Sequence, residues 1–75
     1  MNKRELKRIS KIVSDLSATA EMISALRDGE QTKLDKYPPQ FRFSDAYIRA
    51  ENAHECLDSS LEMIGDVINV LQKVY

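Results

Sequence analysis

Two adjacent prolines near the middle of the chain constrain its fold more than any other feature. Pro38 and Pro39 cannot lie inside a helix, and Pro38 also keeps Tyr37 out of the α-helical region of backbone space. Ser44 followed by Asp45 is typical of a helix start, with a capping hydroxyl and an acid in the first turn. The chain therefore divides into one segment that ends just before Tyr37 and another that begins near Asp45.

Apolar residues in the first segment recur at alternating steps of three and four, which predicts a long amphipathic helix. This row, here called the seam, is Leu6, Ile9, Val13, Leu16, Ala20, Ile23, Leu34 and Tyr37. The same spacing places Arg27 and Glu30 at seam positions, so two charged residues interrupt the apolar row. Gly29 beside them weakens a helix by about 1 kcal/mol relative to alanine, which predicts a continuous helix with a weak last third.

The second segment has a more regular seam and a wider apolar sector. Its seam is Tyr47, Ala50, His54, Leu57, Leu61, Ile64, Ile68, Leu71 and Tyr75. Two neighbouring rows add Ala46, Ala53, Ser60, Val67 and Val74, and Cys56, Met63 and Val70. A sector this wide exceeds what one partner helix covers, so it predicts either a broad bundle core or a dimer interface. The interface candidates are Leu57, Leu61, Met63, Ile64, Val67, Ile68 and Leu71.

Together these patterns predict an all-α fold. We expect a single domain over residues 1–75, with a helix at about 3–36, a Pro-containing loop at 37–44 and a helix at about 45–74. The short loop returns the second helix antiparallel to the first, and two such hairpins would form a four-helix bundle. Self-association is expected because a chain below roughly 80 residues rarely builds a sufficient core alone.

Composition narrows the range of functions. The chain is 43% hydrophobic and 31% charged, the mix of a soluble folded protein. Its single cysteine excludes a disulfide scaffold and a multi-cysteine zinc site, and fits a reducing cytosol. No apolar run approaches the roughly 18 residues of a membrane span. We therefore expect a cytoplasmic protein without cofactor, metal or membrane partner.

Five ionisable residues are expected to converge in the loop-proximal third of the hairpin. They are Arg27, Glu30, Glu51, His54 and Glu55. If the turn is centred near Gln40, residues at the same level have numbers that total about 81, which sets Arg27 level with His54 and Glu55. The cluster predicts either a polar network that sets the register of the helices or a binding site.

The loop is a second candidate site. Tyr37, Phe41 and Phe43 lie beside Lys36 and Arg42 in the sequence. Aromatic rings next to cations suit stacking on a nucleotide or gripping a peptide. The alternative is that Phe41 and Phe43 fold back and plug the open end of the bundle.

Arg49 and His54 have the Arg-x-x-x-x-His spacing, and in this respect they resemble HEPN ribonucleases, in which an Arg and a His face each other across a helical dimer. The resemblance implies acid–base chemistry by His54 and stabilisation of phosphate charge by Arg49. Five residues are about 140° around an ideal helix, so the two side chains do not share a face. Ala50 also stands where that motif usually has a polar residue.

Cys56 is expected to be a small apolar residue rather than a nucleophile.

Charge is distributed unevenly along the chain, although the formal net charge is only −1. Five of the first eleven residues are basic: Lys3, Arg4, Lys7, Arg8 and Lys11. From Asp45 onward the second segment carries six acids and two bases. The basic end is either a solvated terminus or a phosphate-binding site. No aromatic residue alternates with these bases, which disfavours binding to nucleic acid.

Several stretches resemble small two-helix proteins of bacteriophages, prophages and their bacterial hosts. They are Met1-Asn2-Lys3-Arg4, Leu26-Arg27-Asp28-Gly29-Glu30-Gln31, Tyr37-Pro38-Pro39, Arg49-Ala50-Glu51-Asn52-Ala53 and Leu57-Asp58-Ser59-Ser60-Leu61-Glu62. The resemblance implies a cytosolic setting and a phage origin, with no activity to carry over.

The function predicted from the sequence is non-enzymatic. We expect a self-associating helical protein that binds another protein, which would be a host protein or defence component if the chain is phage-encoded. One alternative is an oligomer that sequesters a small nucleotide signal through Arg27, His54, Arg42 and the loop aromatics. The other is a HEPN-like ribonuclease that uses Arg49 and His54.

Overall fold

The computed structural model describes residues 1–75 as two long helices joined by a tight turn. Helix α1 spans Lys3–Asp35, a short 3-10 turn occupies Pro39–Phe41, and helix α2 spans Asp45–Gln72. The predicted all-helical hairpin is confirmed. Helix α1 continues through Gly29 without interruption, because one glycine costs a long helix little when its neighbours favour the helical state.

Both helices begin at side-chain caps. The Oδ1 atom of Asn2 accepts a hydrogen bond from the backbone N–H of Glu5 at 2.8 Å. The hydroxyl of Ser44 accepts from the N–H of Tyr47 at 3.2 Å and donates to the carbonyl of Phe41 at 2.7 Å. Ser44 therefore satisfies a free N–H of α2 and ties α2 to the preceding turn, which fixes where the second helix starts.

The hairpin is long and narrow, with principal extents of 59 × 15 × 13 Å. The seam residues predicted from the sequence have reduced exposure, except Tyr75, which is 57% exposed, and α1 and α2 pack along them. Only Val13 is buried, with 8% of its surface exposed. The core of one chain is thus a single row of contacts, with water on both sides of it.

The predicted interface residues separate into two groups. Five lie in the seam and are half-buried within the hairpin: Leu57, Leu61, Ile64, Ile68 and Leu71. The prediction that these five residues form an interface between chains is therefore corrected, because they pack between the two helices of one chain. Met63 and Val67 point away from the seam and are exposed, because a two-helix contact covers only one stripe of each helix.

Candidate interaction surface

The two open sides of the hairpin differ in chemistry. Two antiparallel helices are related by a local twofold axis perpendicular to the plane that contains them, so equivalent rows of both helices lie on the same side. We call one side the apolar flank; its apolar and small residues are Ile12, Thr19, Met22, Leu26, Ala53, Cys56, Ser60, Met63, Val67, Val70 and Val74. The same helical rows also carry Glu5, Arg8, Asp15, Lys33 and Arg49. We call the other side the polar flank; its residues are Ser10, Ser17, Ser24, Gln31, Glu51, Asp58, Gly65 and Gln72.

Large side chains of the apolar flank are exposed on both helices. On α1 these are Ile12, Met22 and Leu26, and on α2 they are Met63, Val67, Val70 and Val74. Met63 is 66% exposed and Leu26 is 62% exposed. Single exposed hydrophobics are ordinary, but several on the same side of two helices, four of them consecutive on α2, are typical of a surface that binds another protein surface.

The surface along the apolar flank is not flat but contains two shallow depressions. A depression of about 410 Å³ lies on α2 where the apolar flank meets the polar outer face, lined by Asn52, Glu55, Cys56, Ser59, Ser60 and Met63. A second depression, of about 280 Å³, is lined by Val67, Val70 and Leu71 together with Asp66. Small residues next to large ones give the surface hollows that can receive protruding side chains.

The polar flank is closed by the only ion pair between the two helices. The guanidinium of Arg27 donates to the Asp58 carboxylate at 3.0 Å, and within α1 it also contacts Ser24 at 3.3 Å and Asp28 at 3.4 Å. Asp58 is 61% exposed, so this is a solvated pair rather than a buried one. Because Arg27 contacts both Ser24 on α1 and Asp58 on α2, the rows that contain these two residues lie on the same side of the hairpin.

Arg27 is held by Asp58, and the expectation that Glu51, His54 and Glu55 would hold it is wrong. The reason is register. The rings of Tyr37 and Tyr47 are 5.3 Å apart, so residues at the same level have numbers that total about 84 rather than 81. The turn is centred near residue 42, which moves the level partner of Arg27 on α2 by almost one helical turn.

The other members of the predicted polar cluster do not join Arg27. Glu30 is half-buried and binds Lys33, one turn away on the same helix, at 3.0 Å. Glu51 and Glu55 are exposed, and His54 is half-buried in the seam without a side-chain hydrogen bond. The sequence correctly places Arg27 and Glu30 in the seam, but the five residues form no single site.

The residues proposed for a ribonuclease-like pair also lie apart. The Nε atom of Arg49 donates to the backbone carbonyl of Asp45 at 3.4 Å, and no hydrogen bond joins Arg49 to His54. Arg49 is exposed whereas His54 faces α1. No group of three His, Cys, Asp or Glu side chains is arranged to hold a metal ion.

The loop end of the hairpin is closed by tyrosines. Tyr37 and Tyr47 meet edge to face, with an angle of 84° between their rings. The predicted plug is wrong for Phe43, which is 89% exposed because the turn before Ser44 directs it outward. Phe41 is half-exposed and borders an open depression of about 520 Å³, lined by Lys33, Lys36, Tyr37, Pro38, Phe41 and Ser44.

The opposite end of the hairpin is basic. Lys3, Arg4, Lys7 and Arg8 are exposed and form no ion pair, whereas Lys11 binds Asp15 at 3.1 Å. Tyr75 lies against Lys3, Leu6, Lys7 and Ser10 in a depression of about 350 Å³. An excess of unpaired positive charge is therefore concentrated at the end away from the loop.

Sequence reasoning missed the α1 contribution to the apolar flank. Ile12 and Leu26 each stand one position before a seam residue, and Met22 is one turn before Leu26 on the adjoining row. The signal was therefore present in the heptad spacing.

Neither helix contains a stretch long and apolar enough to cross a bilayer. No protein-family model, curated protein or solved structure matches this chain.

Proposed function

We propose that this chain is a non-enzymatic interaction protein that associates with itself through the apolar flank. Two hairpins joined in this way make a four-helix bundle, and the bundle acts by binding another protein. The observation that carries the proposal is the set of exposed hydrophobic side chains that α1 and α2 present on the same side of the hairpin. These side chains have no partner within the chain and leave water when a second apolar flank covers them.

The accessible surface supports the same proposal. One chain exposes 5817 Å². A folded monomer of this mass ordinarily exposes about 4,700 Å², from the scaling of surface area with mass. The excess of roughly 1,100 Å² is comparable to the about 800 Å² that each partner contributes to a stable interface. Association along one flank removes a surface of the size that the hairpin has in excess.

The loop end supports a role in binding another protein. Phe43 and Phe41 are exposed at the tip, next to Arg42 and away from the apolar flank. Exposed aromatic and arginine side chains are the residues that contribute most to protein–protein contacts. A bundle held together by its apolar flanks keeps these residues free at its ends.

The contacts of Arg27 favour protein binding over capture of a nucleotide. Its guanidinium is already shared between Asp58, Asp28 and Ser24. An anionic ligand at this place would have to displace a carboxylate that carries the same charge. Of the residues named for the sequestering alternative, this leaves Arg42 as the only arginine free of an ion pair.

The proposal is tested by sedimentation equilibrium on two glutamate variants of α2. Val67→Glu places a charge on the apolar flank, and we expect it to shift the protein toward the monomer. Asn69→Glu places the same charge two residues away on the solvated face of α2 and serves as the matched control. A wild-type protein that sediments as a folded 8.6 kDa monomer would contradict the proposal.

The non-enzymatic part is tested by an RNA-cleavage assay. We expect no cleavage, because Arg49 and His54 do not share a hydrogen bond or a face. Cleavage that disappears in both Arg49→Ala and His54→Ala, with helical content unchanged, would establish an enzyme. Activity that survives either substitution would identify a contaminating nuclease.

A further inference from the structure

We propose that the second copy docks antiparallel, so that α1 lies on the partner's α1 and α2 lies on the partner's α2. The twofold axis crosses the hairpin at Thr19 on α1 and midway between Met63 and Val67 on α2. This inference rests on the proposed self-association and specifies its geometry. It follows from the placement of the apolar residues along the two helices and from the charge at the basic end.

The apolar residues of each helix are distributed about a midpoint. On α1, Ile12 and Leu26 are both seven residues from Thr19. On α2, Cys56 and Val74 are both nine residues from position 65, and Met63 and Val67 are both two residues from it. A twofold axis through such a midpoint pairs Ile12 with Leu26, Met63 with Val67 and Cys56 with Val74. Val70 then falls opposite Ser60, and Met22 falls opposite Leu16 and Asp15.

The two midpoints lie at the same height on the hairpin. The contact between Tyr37 and Tyr47 shows that level residues have numbers that total about 84. Position 19 on α1 is therefore level with position 65 on α2. A single twofold axis can therefore pass through both midpoints. If the midpoints lay at different heights, no single axis could pair the apolar residues of both helices.

The axis generates specific pairs. Ile12 meets the partner's Leu26, and Met63 meets the partner's Val67. At the edge of the α2 contact, Cys56 meets the partner's Val74. Thr19 lies on the axis opposite its own copy, where a small side chain allows the two α1 helices to approach closely.

Charge selects the antiparallel arrangement over the parallel one. A parallel dimer brings together two copies of the end that carries Lys3, Arg4, Lys7 and Arg8, whose side chains are unpaired. An antiparallel dimer separates the equivalent basic residues of the two copies by about 33–48 Å along the helices, given a rise of 1.5 Å per residue. This distance is several times the Debye length of about 8 Å at physiological ionic strength, so the repulsion is screened.

Distances between spin labels on the two copies test the arrangement. Cysteine is introduced at Thr32, on the outer face of α1 near the loop, or at Glu21, on the outer face near the proposed axis, both in a Cys56→Ser background. The antiparallel dimer separates the two labels at position 32 by about 40–45 Å, whereas a parallel dimer holds them within about 25 Å. Labels at position 21 are within about 25 Å in either dimer and serve as the control.

The outcomes distinguish this inference from the proposed function. A long distance at position 32 with a short distance at position 21 is the expected result. Short distances at both positions would overturn the antiparallel geometry and leave self-association standing, and long distances at both would place the axis elsewhere and also overturn it. The absence of any distance between copies, with a monomeric mass in sedimentation, would overturn the proposed function itself.

Discussion

The two flanks of the hairpin border the same seam, yet they have opposite chemistry. The polar flank carries serines, Gly65 and the solvated pair of Arg27 and Asp58. The apolar flank carries Met63, Val67 and other large side chains that nothing in the chain covers. Because the seam is common to both, it explains why the helices pair but not why one side is apolar. The difference supports the proposal that the hairpin is half of a core.

The largest expected effect comes from the seam, which both flanks need. Ile64→Asp places a carboxylate among seam residues without a partner, and we expect loss of both helix and assembly. Circular dichroism with sedimentation measures this, and Asn69→Asp on the exposed face of α2 is the control. A variant that stayed helical and associated would show that Ile64 is not in the seam.

The next effect separates the flanks directly on α1. Leu26→Glu on the apolar flank should weaken association by about 10–100-fold, or roughly 1.4–2.8 kcal/mol, because a charge must be buried in the interface. Ser17→Glu on the polar flank should leave association unchanged. Dissociation constants from sedimentation compare the two. Equal effects would mean that α1 has no apolar flank in the assembly.

A smaller, stabilising effect is expected at the glycines. A Cβ atom built at Gly29 or at Gly65 meets no atom within 4 Å, and both residues have helical backbones. Gly65→Ala on the polar flank should therefore raise the free energy of unfolding by about 0.5–1 kcal/mol, and Gly29→Ala by a similar amount. Thermal unfolding measures the gain. A loss of stability in Gly65→Ala would reveal that another chain approaches the polar flank.

The smallest effect is expected at the ion pair of the polar flank. Arg27→Met should change the free energy of unfolding by less than about 1 kcal/mol, because Asp58 stays in water when its partner is removed. Urea unfolding at low and high salt measures the change. A loss of more than about 3 kcal/mol would mean that the pair is buried in the assembly, as removal of one partner of a buried pair costs that much.

Most of the fold could be predicted from the sequence, because it depends on local rules. The prolines and Ser44 set the ends of the helices, and the heptad spacing identified the half-buried seam, including Arg27 and Glu30. These features act within one or two turns of the chain. A period of three and four residues also specifies a face of a helix without reference to its neighbour.

The polar contacts could not be predicted, because they depend on the register between the helices. A shift of three residues in the register between α1 and α2 was enough to replace Glu55 by Asp58 as the partner of Arg27. Likewise, the exposure of Phe43 depends on the path of the turn rather than on its apolar character. The sequence of α1 alone does not show that Leu26 lies on the same side of the hairpin as the exposed apolar residues of α2, because this depends on how the two helices pack.

The measurement that tests the central claim most directly is the dependence of thermal stability on protein concentration. If the apolar flanks complete the core, the folded state is an assembly, and its Tm rises with concentration by mass action. We predict that the wild-type protein shows this rise between micromolar and millimolar concentrations and that Val67→Glu has a lower, flat Tm or is unfolded. A wild-type Tm that does not change with concentration, with a mass of 8.6 kDa, would contradict the account.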